Sequence, residues 1–167
     1  MKAKLIVEGK EFSVEVQDPE LQKLLVPPKK TGYERVNIGD SFFWEHSGST
    51  VWETESRHNN DNRLYETANY YSDQTVAENN ARADKLMRQL RRFAVEHRKS
   101  ELNWSETAQR KYSSYYNRRV NKIDIGHVIF GRDFGSIYFD TEEAAEAALT
   151  TFKYELTWYF TEYKDSL

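Results

Sequence analysis

Cysteine is absent from the 167-residue chain, and proline and glycine are scarce, with three and seven residues. Without cysteine the protein has no disulfide bonds, zinc–thiolate sites, iron–sulfur clusters or cysteine nucleophiles. The chain also lacks a glycine-rich phosphate-binding motif, a paired-histidine metal motif and a G-x-S-x-G sequence. We therefore expect no catalytic residue set, no metal and no other cofactor.

Long hydrophobic runs are missing as well. The longest apolar runs have three or four residues, as at Leu5-Ile6-Val7, whereas a membrane span needs about 20. Acidic Glu8 follows the basic start of the chain before the hydrophobic region of a signal peptide could form. The sequence thus predicts a cytoplasmic protein with no membrane partner.

Charged and aromatic side chains are abundant, at 31% and 14% of the residues. The formal net charge is only −3, but the charges are unevenly placed. Residues 82–122 contain twelve lysines and arginines against four acidic residues, a net charge of +8, whereas the rest of the chain carries −11. Because a basic segment of this kind attracts polyanions, it points to nucleic acid as a partner.

The beginning of the chain predicts a small unit over residues 1–28. Apolar and charged residues alternate over residues 5–16, which is typical of a β-hairpin. Asp18-Pro19 has the composition of a helix start, and Pro27-Pro28 ends the short helix that follows. Residues 29–32 have the composition of a linker.

Two further units, each with strands and a helix, are predicted after the linker. In residues 33–99 we predict strands at 41–45, 50–53 and 63–71, a polar loop at 58–62, and a long helix at 73–97. In residues 104–167 we predict strands at 111–116, 123–130 and 136–139, and a final helix at 140–163 that Asp140 caps together with Glu143.

Segments 70–78 and 138–146 can be aligned, because each combines an aromatic strand end, a polar cap and the start of a helix. Two such units could bury each other's apolar faces. Since many strand-to-helix junctions look alike, duplication of a strand-strand-strand-helix unit stays an open alternative. The predicted fold is α+β: antiparallel β-hairpins or a meander packed against two long α-helices, in one compact domain overall.

The long helix carries a candidate polyanion-binding face. At 100° per residue, four cations fall in one sector, opposite the apolar stripe: Lys85, Arg88, Arg92 and Lys99. Such a row could follow a chain of phosphates. Every amphipathic helix exposes a polar face, however, so an ordinary solvated surface is the alternative.

A second basic run spans residues 110–122 and has five cations, three tyrosines and no acid. This mixture suits single-stranded or irregular nucleic acid, since phosphates need charge and unstacked bases need a planar surface. Core tyrosines on one strand face, with solvated arginines at a turn, are the alternative. The candidate contacts are Arg110, Lys111, Tyr112, Tyr115, Arg118, Arg119 and Lys122.

Tyr154 and Trp158 lie four residues apart on the side of the last helix opposite its main apolar stripe. A large aromatic pair outside the core face is typical of a protein–protein contact, and homodimerisation would be its simplest use. A helix packed between two layers is the alternative.

Four segments carry a resemblance to known proteins: Asn69-Tyr70-Tyr71-Ser72-Asp73, residues 77–94, residues 138–144 and residues 154–163. Over roughly residues 40–165, the chain resembles small uncharacterised proteins that phages, prophages and mobile elements of Firmicutes encode. The resemblance implies no catalytic residue and no cofactor. It implies an accessory protein of the element, and such proteins often inhibit host defence, anti-CRISPRs among them.

Together, the basic segment and the resemblance predict a non-catalytic binding protein that inhibits a host defence protein or ribonucleoprotein and contacts RNA or DNA. A stand-alone nucleic-acid-binding or regulatory module of the mobile element is the alternative. A small nuclease is a third interpretation, in which folding would bring together Glu45-His46 and His58 with Asp61. Imitation of a phosphate backbone by the acidic last helix is a fourth.

Overall fold

The computed structural model describes residues 2–7, 10–19, 21 and 30–163. The chain divides into two compact units, Met1–Thr31 and Gly32–Leu167. In the first unit, strand β1 (Lys2–Val7) pairs with strand β2 (Lys10–Glu15) in an antiparallel hairpin. This pairing confirms the predicted N-terminal hairpin.

The short helix predicted after this hairpin lies mostly outside the described residues, as does its predicted end at Pro27-Pro28. Its beginning is described: the amide of Leu21 donates to Oδ1 of Asp18 at 3.3 Å. Asp18 therefore accepts from the first turn, as expected for a capping residue.

In the second unit, strands β3 (Ser41–His46) and β4 (Ser49–Thr54) form the first of the hairpins predicted there. The two turn residues, Ser47 and Gly48, have φ values of 54° and 85°. Positive φ at both positions is the geometry of a type I′ turn, whose twist matches that of the flanking strands. Backbone geometry thus fixes how the turn projects from the hairpin.

Helix α1 (Asn59–Glu66) occupies a segment for which a polar loop and a strand were expected, so both predictions are wrong. The reason is the buried carboxylate of Asp61, which accepts hydrogen bonds from the amides of Ser56 and His58 at 2.9 and 3.1 Å. These bonds hold the chain in the turn that starts a helix. The sequence pattern of the segment does not reveal that Asp61 is buried.

Helix α2 (Gln74–Glu96) is the long helix that the sequence predicts, and it begins after Asp73. Oδ1 of Asp73 accepts the amide of Val76 at 3.0 Å, which satisfies a free donor of the first turn. Within the described chain, neither α2 nor another helix is both long and apolar enough to cross a membrane. The buried side of α2 consists of small residues and leucines: Ala77, Ala81, Ala83, Leu86, Leu90 and Ala94.

Strands β5 (Lys111–Asn117) and β6 (Lys122–Val128) form the next predicted hairpin. The third strand predicted at 136–139 is reduced to one antiparallel bridge, between Phe139 and Tyr112. Gly135, the residue before the predicted range, has φ 80°, a left-handed conformation, so an extended strand cannot begin earlier. Within residues 136–139, Phe139 is the residue that pairs with a strand.

The same local plan occurs twice in the second unit. Tyr71 exchanges two backbone hydrogen bonds with Phe43, both at 2.8 Å, and Phe139 exchanges two with Tyr112, at 2.8 and 2.9 Å. In both cases a helix begins three residues after the bridge. The α+β fold is confirmed, with a hairpin, a single bridging residue and a helix in place of each predicted three-stranded unit.

The last helix differs from its prediction in two respects. It is divided into α3 (Glu142–Thr151) and α4 (Lys153–Thr161), because Phe152 leaves the helical range at φ −105° and ψ 19°. Its cap is Thr141, whose Oγ1 accepts the amide three residues further on at 3.2 Å. The predictions of one continuous helix and of a cap at Asp140 are therefore wrong.

Asp140 has a different partner. Its Oδ2 accepts the amides of Lys99 and Ser100 at 2.8 and 2.6 Å, so it joins the segment after α2 to the start of α3. Burial alone would raise the pKa of Asp140, but the hydrogen bonds from Ser100 and Lys99 outweigh burial and lower the pKa. Because its carboxylate already accepts these two amides, Asp140 does not cap α3.

Helix α2 links the parts of the second unit. It packs against β3 and β4 and also against α3 and α4. A smaller cluster of Phe42, Leu64 and Tyr70 lies under the β3–β4 hairpin. The rings of Phe42 and Tyr70 stack there with their centroids 4.2 Å apart. The main core contains Leu86, Leu90, Ala94, Ile123, Phe139, Ala144, Ala145, Ala148 and Leu156.

Glu55, directly after β4, is the centre of a buried ion network. Its carboxylate accepts Nε and Nη2 of Arg35 at 3.0 and 3.1 Å, the hydroxyl of Tyr70 at 2.7 Å and the amide of Arg57 at 2.8 Å. Burial alone would raise the pKa of Glu55, but these hydrogen bonds lower it from 4.5 to about 2. The network ties the segment before β3 to the segment between α1 and α2.

Replacing Glu55 with glutamine should lower the free energy of unfolding by on the order of 3 kcal/mol, because Arg35 loses its charged partner. Urea unfolding at pH 7 measures the loss, with Glu66→Gln at the exposed end of α1 as the control. Folding lowers the pKa of Glu55, so its contribution is present above about pH 4.5 and disappears as the pH falls towards 2. The difference between wild type and variant should shrink over this range, and a constant difference would contradict the network's role.

Candidate polyanion-binding site

Cations of α2 face a cleft beside the β3–β4 turn. The cleft has a volume of about 670 Å³, and we call it the cation cleft. It brings together three of the four cations that were predicted to share a helix face. Its complete lining is Glu45, Ser47, Gly48, Ser49, Lys85, Arg88, Gln89 and Arg92.

The three cations are held to different degrees by their neighbours. Nη2 of Arg88 lies 3.2 Å from Oε1 of half-buried Glu45. Nε of Arg92 lies 3.7 Å from exposed Glu96, and such an exposed pair contributes little. Among residues 30–163, Lys85 has no ion pair and no side-chain hydrogen bond. Glu45 thus positions Arg88, whereas Lys85 and Arg92 are available to a ligand.

The lining suits an anion that carries several oxygen atoms. Ammonium and guanidinium groups donate to phosphate oxygens, and the side chains of Ser47, Ser49 and Gln89 can donate as well. Among the lining residues, the carboxylate of Glu45 alone opposes three cations. The cleft therefore favours a polyanion over a cation or an apolar ligand.

Lys99, the fourth cation of the predicted row, lies outside this cleft. Helix α2 ends at Glu96, and exposed Lys99 follows in an irregular segment where its amide donates to Asp140. Since the helical spacing stops before Lys99, it does not continue the row. The predicted face of four cations is corrected to three.

Lys111 is fully buried, so its assignment to a nucleic-acid surface is wrong. Its Nζ donates to the carbonyl oxygens of Gln109 and Glu106 at 2.9 and 3.2 Å, and a third carbonyl, that of Ile129, lies at 3.5 Å. The ammonium also lies 5.3 Å from the ring centroid of Trp104. Because these groups surround the charge, Lys111 has a structural role.

The two tyrosines predicted to stack on bases lie on different faces of β5. Tyr112 packs against the main core, and its backbone pairs with Phe139. Tyr115 lies on the exposed face of the strand. Because side chains alternate along a strand, the two rings cannot serve one surface. Tyr112 is therefore corrected to a core residue, and Tyr115 keeps an accessible ring.

The other cations of the second basic run lie at two ends of the β5–β6 hairpin. Arg110 precedes β5, whereas Arg118 and Arg119 lie in the turn after it, and all three are exposed. The extended chain between Arg110 and Arg118 covers roughly 25 Å at about 3.3 Å per residue. Lys122, at the start of β6, lies 3.5 Å from Asp124. The run therefore forms two separate groups rather than one patch.

Tyr154 and Trp158 do not form an exposed aromatic pair. Trp158 is only 7% exposed, because the guanidinium of Arg82 lies 3.9 Å from its ring centroid. Nε of the same Arg82 lies 2.8 Å from Glu155, so this residue joins α2 to α4. Tyr154 is 87% exposed. The assignment of Trp158 to a protein interface is wrong, and Tyr154 alone keeps the accessibility that such an interface needs.

A second cleft, which the sequence reasoning missed, lies beside the C-terminal part of α2 and has a volume of about 550 Å³. Two arginines near the end of the long helix, Arg91 and Arg98, were its one visible signal in the sequence. No sequence pattern places the loop after β6 beside these arginines. We call it the arginine–aromatic cleft; its charged and aromatic lining residues are Arg91, Arg98, Arg132, Asp133, Trp104, Phe134 and Tyr138.

The carboxylates of the nuclease interpretation have other partners. Asp61 is buried and accepts the amides of Ser56 and His58, and Glu45 lies against Arg88. In the parts of the chain that the structure describes, no group of three histidine, aspartate or glutamate side chains could hold a metal ion. The chemistry that the two clefts offer is positive charge and aromatic surface.

The structural role of Lys111 can be tested with a substitution that keeps its aliphatic length. Lys111→Met should lower the free energy of unfolding by about 1–3 kcal/mol, because the buried carbonyls around Nζ lose their donor. Arg110→Met, at the exposed neighbouring position, should change it by less than about 0.5 kcal/mol. Urea unfolding measures both. Equal stabilities would show that the buried ammonium is dispensable.

The described residues of the second unit thus include two clefts along α2, and the rings of Tyr115 and Tyr154 are exposed. What they bind is inferred from their own side chains. No protein-family model matches the chain, and no curated protein or solved structure is significantly similar to it.

Proposed function

We propose that the protein is a non-catalytic binding protein that contacts the phosphates of a nucleic acid through the cation cleft. One observation supports this most directly: three helix cations converge on a cleft with a single carboxylate, and two of them are not held by a strong partner. Converging like charges repel one another, so a bound polyanion relieves the repulsion. Phosphate binding also releases counterions, which adds to the affinity.

We further propose that the chain is an accessory protein of a phage or mobile element, as the sequence predicts, and that a host defence ribonucleoprotein carries that nucleic acid. A guide RNA or its target strand presents phosphates that the cation cleft could engage. Exposed Tyr154 would supply a contact to the protein part of the complex. Under this proposal the chain acts in the cytoplasm of a bacterial host as an inhibitor.

Lys85→Gln/Arg92→Gln tests the cation cleft, because it removes the two available cations and leaves the Arg88–Glu45 pair in place. Binding of labelled single-stranded and duplex DNA and RNA is measured at several salt concentrations. We expect the wild-type protein to bind and the affinity of the variant to fall about tenfold. The slope of log K against log salt should decrease by roughly 1.5, since each phosphate contact accounts for about 0.7–0.9.

Arg63→Gln/Lys153→Gln is the matched control, because it changes the net charge equally at exposed positions that lie outside both the cleft lining and the predicted basic segment. This control should keep the wild-type slope. Equal losses in both variants would show that only total charge matters, which would refute the cleft as the site. Strands recovered after binding should be intact, and their degradation would favour the nuclease interpretation.

The defence ribonucleoprotein is tested separately by size-exclusion chromatography with a purified CRISPR effector, with and without guide RNA. We expect a stable complex with the loaded effector and weaker binding to free strands. Binding to free strands alone would favour a stand-alone nucleic-acid module of the mobile element.

A further inference from the structure

Three arginines of the arginine–aromatic cleft lack the partners that usually hold such groups. In the described part of the second unit, Arg91, Arg98 and Arg132 form no ion pair and no side-chain hydrogen bond. The acidic lining residue, Asp133, already accepts the hydroxyl of Tyr138 at 3.3 Å. The cleft therefore has a positive net charge and unused guanidinium donors, which bind phosphate oxygens in a forked geometry.

The aromatic residues of this cleft differ in what they can offer a ligand. The ring of Trp104 is engaged: Tyr138 meets it edge-on at 5.0 Å, and the guanidinium of Arg132 lies 5.6 Å from its centroid. Phe134 is fully exposed and has no ring partner among the described residues. Such a side chain leaves apolar area in water that a stacked partner would cover. Phe134 thus presents a free aromatic face beside a cationic cleft.

The two clefts are neighbours on α2. Arg92 lines the cation cleft, and Arg91, the residue before it, lines the arginine–aromatic cleft. Consecutive helix residues project about 100° apart around the axis, so the two clefts lie on adjacent sides of α2. A strand whose phosphates lie in one cleft can therefore continue into the other.

We propose that the arginine–aromatic cleft receives one unpaired nucleotide of a single strand, with its base stacked on Phe134 and its phosphate held by Arg91 and Arg98. This inference rests on the proposed function, to which it adds a second subsite and a preference for single strands over duplex. Every base has a planar face, so stacking on Phe134 selects for unpaired bases and does not depend on their sequence. Bases of a duplex are already stacked on their neighbours and are not free to reach Phe134.

Phe134→Ala separates recognition of the base from recognition of the phosphate. The full-length protein is titrated with two labelled single strands of equal length, one with normal bases and one fully abasic, and fluorescence anisotropy is recorded. Wild type should bind the base-bearing strand about tenfold more tightly than the abasic strand, the range expected for stacking of one base. Phe134→Ala should bind both strands about equally.

Phe130→Ala is the matched control, because Phe130 is an exposed phenylalanine of the same loop that does not line the cleft. This variant should keep the wild-type preference. Arg91→Gln/Arg98→Gln should lower the affinity for both strands by about tenfold, because it removes contacts to the phosphates that both strands share. Equal binding of the two strands by wild type, an unchanged preference in Phe134→Ala, or unchanged affinity in the double variant would overturn the subsite.

The abasic strand keeps the two proposals distinguishable. Its affinity reports on phosphates alone and should fall in Lys85→Gln/Arg92→Gln. If the affinity for the abasic strand does not fall while the Phe134-dependent preference for the base-bearing strand persists, the assignment of the cation cleft is wrong and the subsite stands. If the fall is present without the preference, the subsite is wrong and the cation cleft stands. Failure of wild type to bind either strand overturns both.

Discussion

Burial of one long helix holds the second unit together. Two-stranded hairpins are marginally stable in water by themselves, and the sheets of this unit have two strands each. Helix α2 packs against the β3–β4 hairpin and also against α3 and α4. Small residues such as Ala77 and Ala81 allow that close approach. The clefts arise where the β3–β4 turn and the loop after β6 extend beyond the packed faces of α2.

The elements that could be predicted are those specified by short-range chemistry. Apolar spacing and the cap at Asp73 are enough to define α2, and alternation is enough to define the hairpins. Helix α1 could not be predicted in this way, because it depends on the buried carboxylate of Asp61 and on the nearby Glu55 network. The break at Phe152 likewise interrupts an unbroken helical pattern.

The same distinction applies to the candidate sites. Lys85, Arg88 and Arg92 come together because helical geometry alone places them on one side. Trp158, by contrast, is covered by Arg82, a residue 76 positions earlier in the chain. The local spacing of Trp158 therefore does not indicate that it is buried. The arginine–aromatic cleft was missed for the same reason, since it needs the loop after β6 to meet α2.

The type I′ turn at Ser47 and Gly48 affects the conformational entropy that is lost when a ligand binds in the cation cleft. Its conformation is set by the hairpin, so the backbone on that side is already ordered before a ligand arrives. Binding then restricts only flexible side chains such as Lys85 and Arg92, at about 0.5–1.5 kcal/mol each. Under the proposed function, an ordered backbone on one side and adjustable lysine and arginine side chains on the other would keep the entropic cost low and would let the cleft accommodate phosphate chains that follow different paths.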